Sequence, residues 1–161
     1  MELVVFGDTH VPSRAPGIPD RVADAVRDAD HVVHTGDFDS VAAYDTVRDL
    51  APDATAVAGN MDPTELDVPE VASFEREGVR FAVTHGTGPL DSYRERVLDI
   101  GREYDADVVV AGHTHEVVDE TADGMRFLNP GSATGAAPAT RATYYALAVA
   151  DGTVDVTLHE R

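Results

Sequence analysis

Five short stretches of the chain place aspartate, asparagine or histidine directly after an apolar run. They are GDTH at 7–10, GDFD at 36–39, GNMD at 59–62, THG at 84–86 and GHTH at 112–115. Carboxylate and amide oxygens combined with neutral imidazoles suit borderline divalent metal ions. The five stretches therefore predict a metal centre, provided that the fold brings them together.

The segment VVVAGHTH at 108–115 contains two candidate metal ligands, His113 and His115. If the backbone stays extended past Gly112, the alternation of side chains along a strand aims His113 and His115 in the same direction. A lone Gly-Asp is usually a turn, and a lone histidine is more often filler than a ligand. Five turns that all choose Asp, Asn or His are harder to assign to turn formation, because a turn does not require histidine.

The first half of the chain alternates predicted strands with predicted helices. Strands are expected at 2–7, 31–36 and 55–59, and helices at 19–29 and 40–51, the second capped by Ser40. This rhythm predicts parallel strands with helices covering the sheet. The carboxyl ends of parallel strands share one edge, where ligands of open α/β sheets bind.

The second half is expected to contain antiparallel strands. The predictions are two strands within 71–86 that turn at Glu77 and Gly78, a helix at 92–105, the strand before GHTH, strands in EVVDET and MRFLNPG, and a closing hairpin at 143–160 that turns at Asp151 and Gly152. The segment 131–142 looks the least structured. Two mixed sheets packed together, with helices outside, would accommodate both halves.

Taken in order, the five stretches resemble the signature of the calcineurin-like metallophosphoesterase superfamily. That signature is Asp-x-His, Gly-Asp, Gly-Asn-(His/Cys)-Asp/Glu, His and Gly-His-x-His, and NPGS at 129–132 is also similar to the family. At this length the chain most resembles the small YfcE-type phosphodiesterases. The resemblance implies an α/β fold, a four-layer α-β-β-α sandwich of two mixed sheets, forming one domain over residues 1–161.

The resemblance also implies a two-metal site and a role for each ligand. One ion would be held by Asp8, His10, Asp37 and His115, and the second by Asp37, Asn60, His85 and His113. The ions would be Mn²⁺, Ni²⁺, Co²⁺, Fe²⁺ or Zn²⁺. A hydroxide bridging them would attack the phosphorus of a phosphodiester, while the Asn60 amide stabilises charge on the phosphoryl oxygens, which makes Asn60 and Asp37 the catalytic residues.

Met61 departs from the family pattern, because many members carry His or Cys at this position. Methionine cannot donate a proton to a leaving group, and such help is typically worth about 10²–10⁴-fold in rate. Aryl esters should therefore be preferred over alkyl esters. The departure also leaves open a non-catalytic scaffold of the retromer-subunit kind. A phosphomonoesterase or nucleotide pyrophosphatase is a further alternative, since pocket walls select the substrate.

Other polar residues receive weaker interpretations. Arg141 could reach a substrate phosphate with its planar guanidinium. His31 and His34 precede the ligand-bearing end of their strand and are interpreted as packing residues. Asp39 and Asp62 could orient ligands or serve as turn residues.

The composition is strongly acidic. Thirty Asp and Glu face twelve basic residues, all of them arginine, for a net charge of −18. Such a surface repels itself unless salt screens it, which predicts adaptation to a salt-rich cytoplasm. The charge opposes binding to long nucleic acids, which need Lys and Arg against their phosphates, and leaves a small phosphate ester as the expected partner.

The same composition limits location and assembly. There is no cysteine, so thiolate metal sites are excluded, and no apolar run approaches the roughly 20 residues that span a bilayer. We expect a cytoplasmic protein without a membrane partner. The closing hairpin is a possible surface for a homo-oligomer.

Overall fold

The computed structural model describes residues 1–51 and 53–160. In chain order its strands are β1 (Glu2–Phe6), β2 (His31–His34), β3 (Ala54–Ala56), β4 (Val71–Arg76), β5 (Val79–Thr84), β6 (Val108–Ala111), β7 (Val117–Ala122), β8 (Met125–Pro130), β9 (Thr143–Ala150) and β10 (Thr153–Glu160). The helices are α1 (Asp20–Asp28), α2 (Val41–Leu50) and α3 (Tyr93–Glu103), with a 3₁₀ turn at Leu90–Ser92 before α3.

The strands form two five-stranded mixed sheets. The first has the order β10-β9-β1-β2-β3 and the second the order β4-β5-β6-β8-β7. Strands β1, β2 and β3 pair in parallel, as do β5, β6 and β8, whereas the remaining pairs are antiparallel. The five stretches of the candidate metal centre follow β1, β2, β3, β5 and β6, so the parallel strands deliver all of them at their carboxyl ends.

Alternation along the strands builds the layers. In β1, Leu3 and Val5 pack in the core between the two sheets, whereas Val4 and Phe6 pack with residues of α1 and α2. On the outer face of the second sheet, Val97 of α3 packs with β5, β6 and β8. The result is the four-layer α-β-β-α sandwich that the sequence predicted.

Local sequence signals account for several element ends. Ser40 caps α2, since its hydroxyl oxygen accepts a hydrogen bond from the Ala43 N–H at 3.1 Å. The β4–β5 hairpin turns at Glu77 and Gly78 with φ of 51° and 79°, and the two residues between β9 and β10 likewise have positive φ. Two consecutive positive φ values match the right-handed twist of the flanking strands, so both predicted hairpins are confirmed.

The segment 131–142 has no regular structure, as predicted, but part of it is buried. It contains neither helix nor strand, yet Gly131, Ser132 and Ala136 are buried. The Ser132 carbonyl oxygen accepts a hydrogen bond from the Thr143 N–H at 3.0 Å. Small residues let this loop pack tightly against the first sheet without regular structure. No helix among the described residues has the length and apolarity to cross a bilayer.

Candidate metal centre

The first predicted ligand set converges at the carboxyl ends of β1, β2 and β6. One ligand atom from each of Asp8, His10, Asp37 and His115 lies within 4.8 Å of the others, and all four residues are buried. The Nε2 atoms of His10 and His115 are 3.1 Å apart. His10 Nε2 lies 3.5 Å from Asp37 Oδ2, and His115 Nε2 lies 3.5 Å from Asp8 Oδ1.

The second predicted set lies beside the first. His85 Nε2 is 3.1 Å from Asp37 Oδ2 and 3.1 Å from Asn60 Oδ1, and His113 Nδ1 is 3.2 Å from the same amide oxygen. Asp37 Oδ2 therefore contacts a histidine of each set. The structure brings all seven candidate ligands together in two groups that share Asp37.

Hydrogen bonds on the far side of three imidazole rings fix which nitrogen faces the cluster. The Nδ1 atoms of His10, His85 and His115 lie 2.9, 2.7 and 2.9 Å from Asp39 Oδ1, the Thr35 carbonyl oxygen and the Ala136 carbonyl oxygen. Carbonyl and carboxylate oxygens only accept, so each Nδ1 must donate. In the neutral ring the Nε2 lone pair then points into the cluster, as metal-ligating histidines require.

The converging atoms need a cation between them. When both rings are neutral, two Nε2 lone pairs face each other at 3.1 Å and repel, and Asp8 Oδ1 is buried with no hydrogen-bond partner among the described residues. A buried carboxylate without a partner is costly, whereas a divalent ion would satisfy both it and the imidazoles. The donor set therefore fits the metals that the sequence suggested.

Without metal, a proton on His85 supplies part of this compensation. Burial disfavours charge on the ring, but the hydrogen bond to Asp37 and the Asp8 and Asp37 charges outweigh it and raise the pKa of His85 to about 9. Burial likewise opposes ionisation of Asp37, yet the hydrogen bond from His85 and its charge hold the pKa of Asp37 below its usual range.

The loops that carry the ligands have an unusual backbone. Six non-glycine residues of the site have positive φ: Asp8 (47°), His10 (48°), Asp37 (63°), Asp39 (81°), His113 (74°) and His115 (62°). Each such residue costs roughly 1–3 kcal/mol unless its surroundings compensate. The expectation that an extended backbone aims His113 and His115 together is therefore wrong. Strand β6 ends at Ala111, and left-handed turns send His113 to one ligand set and His115 to the other.

Glycines precede the ligands because the loops approach each other too closely for a side chain. A Cβ on Gly59 would lie 2.1 Å from Asp37 Oδ1, and one on Gly112 would lie 2.8 Å from Asp8 Oδ2. The glycines of the Gly-Asn and Gly-His pairs are therefore required by the close contact of their backbone with a carboxylate.

Asp62 and Asp39 support the ligands in different ways. The Asp62 carboxylate accepts hydrogen bonds from the backbone N–H groups of Asp37, Asp39 and Gly59, at 2.9, 3.0 and 2.7 Å. It therefore joins the loops after β2 and β3. Asp39 instead accepts a hydrogen bond from the ring of His10 and so orients a metal ligand. Asp62 thus fixes the backbone of the loops, whereas Asp39 fixes a ligand side chain.

Sequence reasoning gave no role to a second set of supporting residues. The Asn129 side-chain NH₂ donates to the Gly112 carbonyl oxygen and to Thr114 Oγ1, at 3.1 and 3.0 Å. Ser132 Oγ donates to the Asp8 carbonyl oxygen at 2.7 Å. Both belong to the NPGS stretch, whose similarity to the family was the available signal.

The weaker sequence interpretations have mixed outcomes. Arg141 is paired with Glu160 of β10, so its guanidinium is already engaged by a carboxylate instead of being free for a phosphate.

His31 and His34 are each 1% exposed, which agrees with packing roles. Burial, with the nearby His85 charge, lowers the pKa of His34 to about 3, and its ring stacks on Phe38 with centroids 3.7 Å apart. The Met61 side chain is 44% exposed at the edge of the site.

Comparisons with known proteins agree with this geometry. Residues 1–152 match the model of the calcineurin-like phosphoesterase superfamily domain. Over 135 residues the chain is 37% identical to a probable metallophosphoesterase of Methanothermobacter thermautotrophicus, covering 83% of the chain and 78% of that protein. Over 140 residues it is 30% identical to vacuolar protein sorting-associated protein 29 (Vps29) of Schizosaccharomyces pombe, covering 84% and 74%. The crystal structure of wild-type Entamoeba histolytica Vps29 complexed with zinc has a TM-score of 0.74 and 28% identity, covering 99% of each chain.

Proposed function

Because the chain belongs to the calcineurin-like phosphoesterase superfamily, we propose that it is a dinuclear-metal-dependent phosphoesterase acting on phosphodiesters. The observation that carries the proposal is the convergence of seven ligands in two sets that share Asp37. A structural role alone does not call for two opposed imidazole lone pairs and a buried carboxylate oxygen without a partner. The proposed domain spans residues 1–161, of which Pro52 and Arg161 lie outside the described residues.

The proposed metals are two divalent ions such as Mn²⁺, Ni²⁺, Co²⁺, Fe²⁺ or Zn²⁺. The zinc complex of the Entamoeba relative supports metal binding by this fold. When bound, such ions would lower the pKa of a bridging water and neutralise charge on the phosphate. Asp8, His10, Asp37 and His115 would hold one ion, and Asn60, His85, His113 and the shared Asp37 would hold the other.

The chain's own groups would position the phosphate. Asn60 Oδ1 faces His85 and His113, so its side-chain NH₂ remains to donate to a phosphoryl oxygen. The Asp37 carboxylate contacts both ligand sets, and its other oxygen is fixed by the Met61 N–H at 2.8 Å. These contacts support the proposed catalytic roles of Asn60 and Asp37, with a small phosphate ester as the substrate.

Hydrolysis of bis(p-nitrophenyl) phosphate with added Mn²⁺ or Ni²⁺ tests the proposal. We expect turnover that is abolished by chelation, restored by metal and reduced at least about 100-fold by Asp37→Asn, because one shared ligand serves both ions. The matched control is Asp45→Asn, an exposed aspartate of α2, which should retain activity. Stoichiometric metal binding without hydrolysis of any phosphate ester would contradict the enzymatic proposal.

A protein-binding scaffold is the second candidate function. The 30% identity to Vps29 of S. pombe, a sorting-associated protein, favours it, as does the exposed Met61 in place of a proton donor. A scaffold would bind metal at the same ligands but hydrolyse neither diesters, monoesters nor pyrophosphates. The test above therefore separates the two candidates.

The surface charge supports a proposal about the cellular setting. A net charge of −18 with arginine as the only basic residue suits a cytoplasm rich in salt. The same charge disfavours long nucleic acids as partners. Sedimentation at molar and at millimolar KCl would test whether the β9–β10 hairpin supports a homo-oligomer.

A further inference from the structure

A cavity of about 560 Å³ opens beside the second ligand set. Asn60 and His85 line one end of it, so it is continuous with the proposed metal centre. Its remaining walls come from the loop before β4, the end of β5 and one face of α3. A volume in this range holds an organic group of moderate size.

The walls of the cavity are mainly apolar. Ala58, Val71, Val97 and Ile100 contribute to them, whereas no Phe, Tyr or Trp does so among the described residues. A hydrogen-bonding sugar or a second phosphate would find few donors on such walls. An apolar group would gain free energy by leaving water.

Arg96 is the one arginine of this lining within the described part of the chain. Its Nη1 and Nη2 atoms donate to the carbonyl oxygens of Pro89 and Gly86, at 2.7 and 2.9 Å. Because these donors are engaged, the guanidinium is poorly placed to form a bidentate hydrogen bond with a phosphate. Arginine guanidinium groups in general stack on aromatic rings, which favours an aromatic occupant beside Arg96.

Two carboxylates line the cavity, Glu70 and Asp99, and both are exposed. Asp99 Oδ1 accepts a hydrogen bond from Arg102 Nη1 at 2.8 Å, so its charge is partly compensated. Glu70 is therefore the carboxylate that would chiefly repel an anionic substituent on the substrate. The cavity therefore combines apolar walls, an arginine with engaged donors and an acidic edge.

We infer that this cavity binds the organic group of the ester and selects an uncharged aromatic substituent over small alkyl or anionic ones. The inference rests on the proposed function for the position of the phosphate, and it narrows the substrate class to aryl esters without further phosphates. It also places substrate selection on α3 and the loop before β4, apart from the metal ligands.

Binding of inert phosphonates to the Mn²⁺-loaded protein tests the inference without requiring turnover. Calorimetry should show phenylphosphonate binding at least about tenfold more tightly than methylphosphonate, since each buried methylene-sized group is worth roughly fourfold. 4-Carboxyphenylphosphonate should bind more weakly than phenylphosphonate, because its carboxylate meets the Glu70 carboxylate. Equal affinities for the three probes, or no binding of any, would overturn the inference.

Two pairs of variants locate the effect. Ile100→Trp fills the cavity from α3 and should remove most of the phenyl preference, whereas Tyr104→Trp, which lies outside the lining, should keep it. Glu70→Gln should narrow the gap between the phenyl and carboxyphenyl probes, and the exposed Asp67→Asn of the same loop should not. A preference that survives Ile100→Trp would assign it to another surface and refute the inference.

Failure of this inference and failure of the proposed function give different results. Metal-dependent hydrolysis of methyl p-nitrophenyl phosphate and phenyl p-nitrophenyl phosphate at equal efficiency would support the proposed function and refute the inference that the cavity selects an aromatic group. A preference for phenylphosphonate in a protein that hydrolyses neither ester would support the inference about the cavity and refute the proposed function.

Discussion

Proton competition at His85 should control metal binding. The pKa of His85 is raised to about 9 in the metal-free protein, chiefly because the Asp37 and Asp8 carboxylates outweigh the effect of burial. A metal ion that uses the Nε2 lone pair must first displace this proton. Because the neutral ring is the form that binds, affinity should rise with pH until the pH passes about 9.

The magnitude follows from the difference between pH and pKa. At pH 7 about one molecule in 100 carries neutral His85, which costs metal binding about 3 kcal/mol relative to a fully neutral ring. Between pH 6.5 and 8.0 the affinity of the site that contains His85 should therefore increase by about 30-fold. The same proton should appear in solution as metal binds.

Calorimetric titration of Mn²⁺ at pH 6.5, 7.25 and 8.0 measures both quantities. Repeating each titration in buffers of different ionisation enthalpy gives the number of protons released, expected to be about one at the His85 site. His85→Asn should bind more weakly at pH 8.0 but lose the pH dependence of that site, whereas His159→Asn should retain it. Affinity independent of pH in the native chain, without proton release, would refute the coupling of His85 to the two carboxylates.

Four further outcomes follow from the same structure. The raised pKa of His85 stabilises the metal-free fold by up to about 3 kcal/mol, and this stabilisation is fully present below pH 6.5, the pKa of histidine in the unfolded chain. It should disappear as the pH rises to about 9, which would be seen as a falling Tm with chelator present. Asp39→Asn should weaken metal binding about 10–100-fold by releasing His10, while Asp45→Asn leaves the measured Kd unchanged. Met61→His should raise kcat/KM for alkyl diesters more than for aryl diesters, and native rates already equal for both would indicate another acid. Dialysis from molar to millimolar KCl should lower Tm, and an unchanged Tm would contradict the proposed salt adaptation.

The fold could be predicted because its signals are local and repeated. Apolar runs that end in glycine gave the parallel strands, and helical spacing in α1 and α2 gave the outer layers. Turn residues such as Glu77 and Gly78 fixed the hairpins. The ligand residues could be named for the same reason, since each follows the strand that presents it.

The sequence did not reveal how the loops bend. His113 and His115 belong to different ligand sets because their backbone is left-handed. Histidine can adopt this conformation, but its presence in the sequence does not predict it. Asn129 and Ser132 act through hydrogen bonds to residues far away in the chain, and no local pattern marks such partners. The pairing of Arg141 with Glu160 depends on where the closing hairpin returns.

The hydrogen bonds of Asp62, Asn129 and Ser132 hold the left-handed loops in place from the protein side. Loops held in this way keep their shape whether or not metal is bound, so one ion can replace another without refolding of the protein. Affinities of nitrogen and oxygen sites for first-row ions follow a general chemical order that protein geometry alters only partly. Nutrient supply should therefore decide which element occupies the purified protein, and cultures grown on different trace-metal media should yield different metal contents.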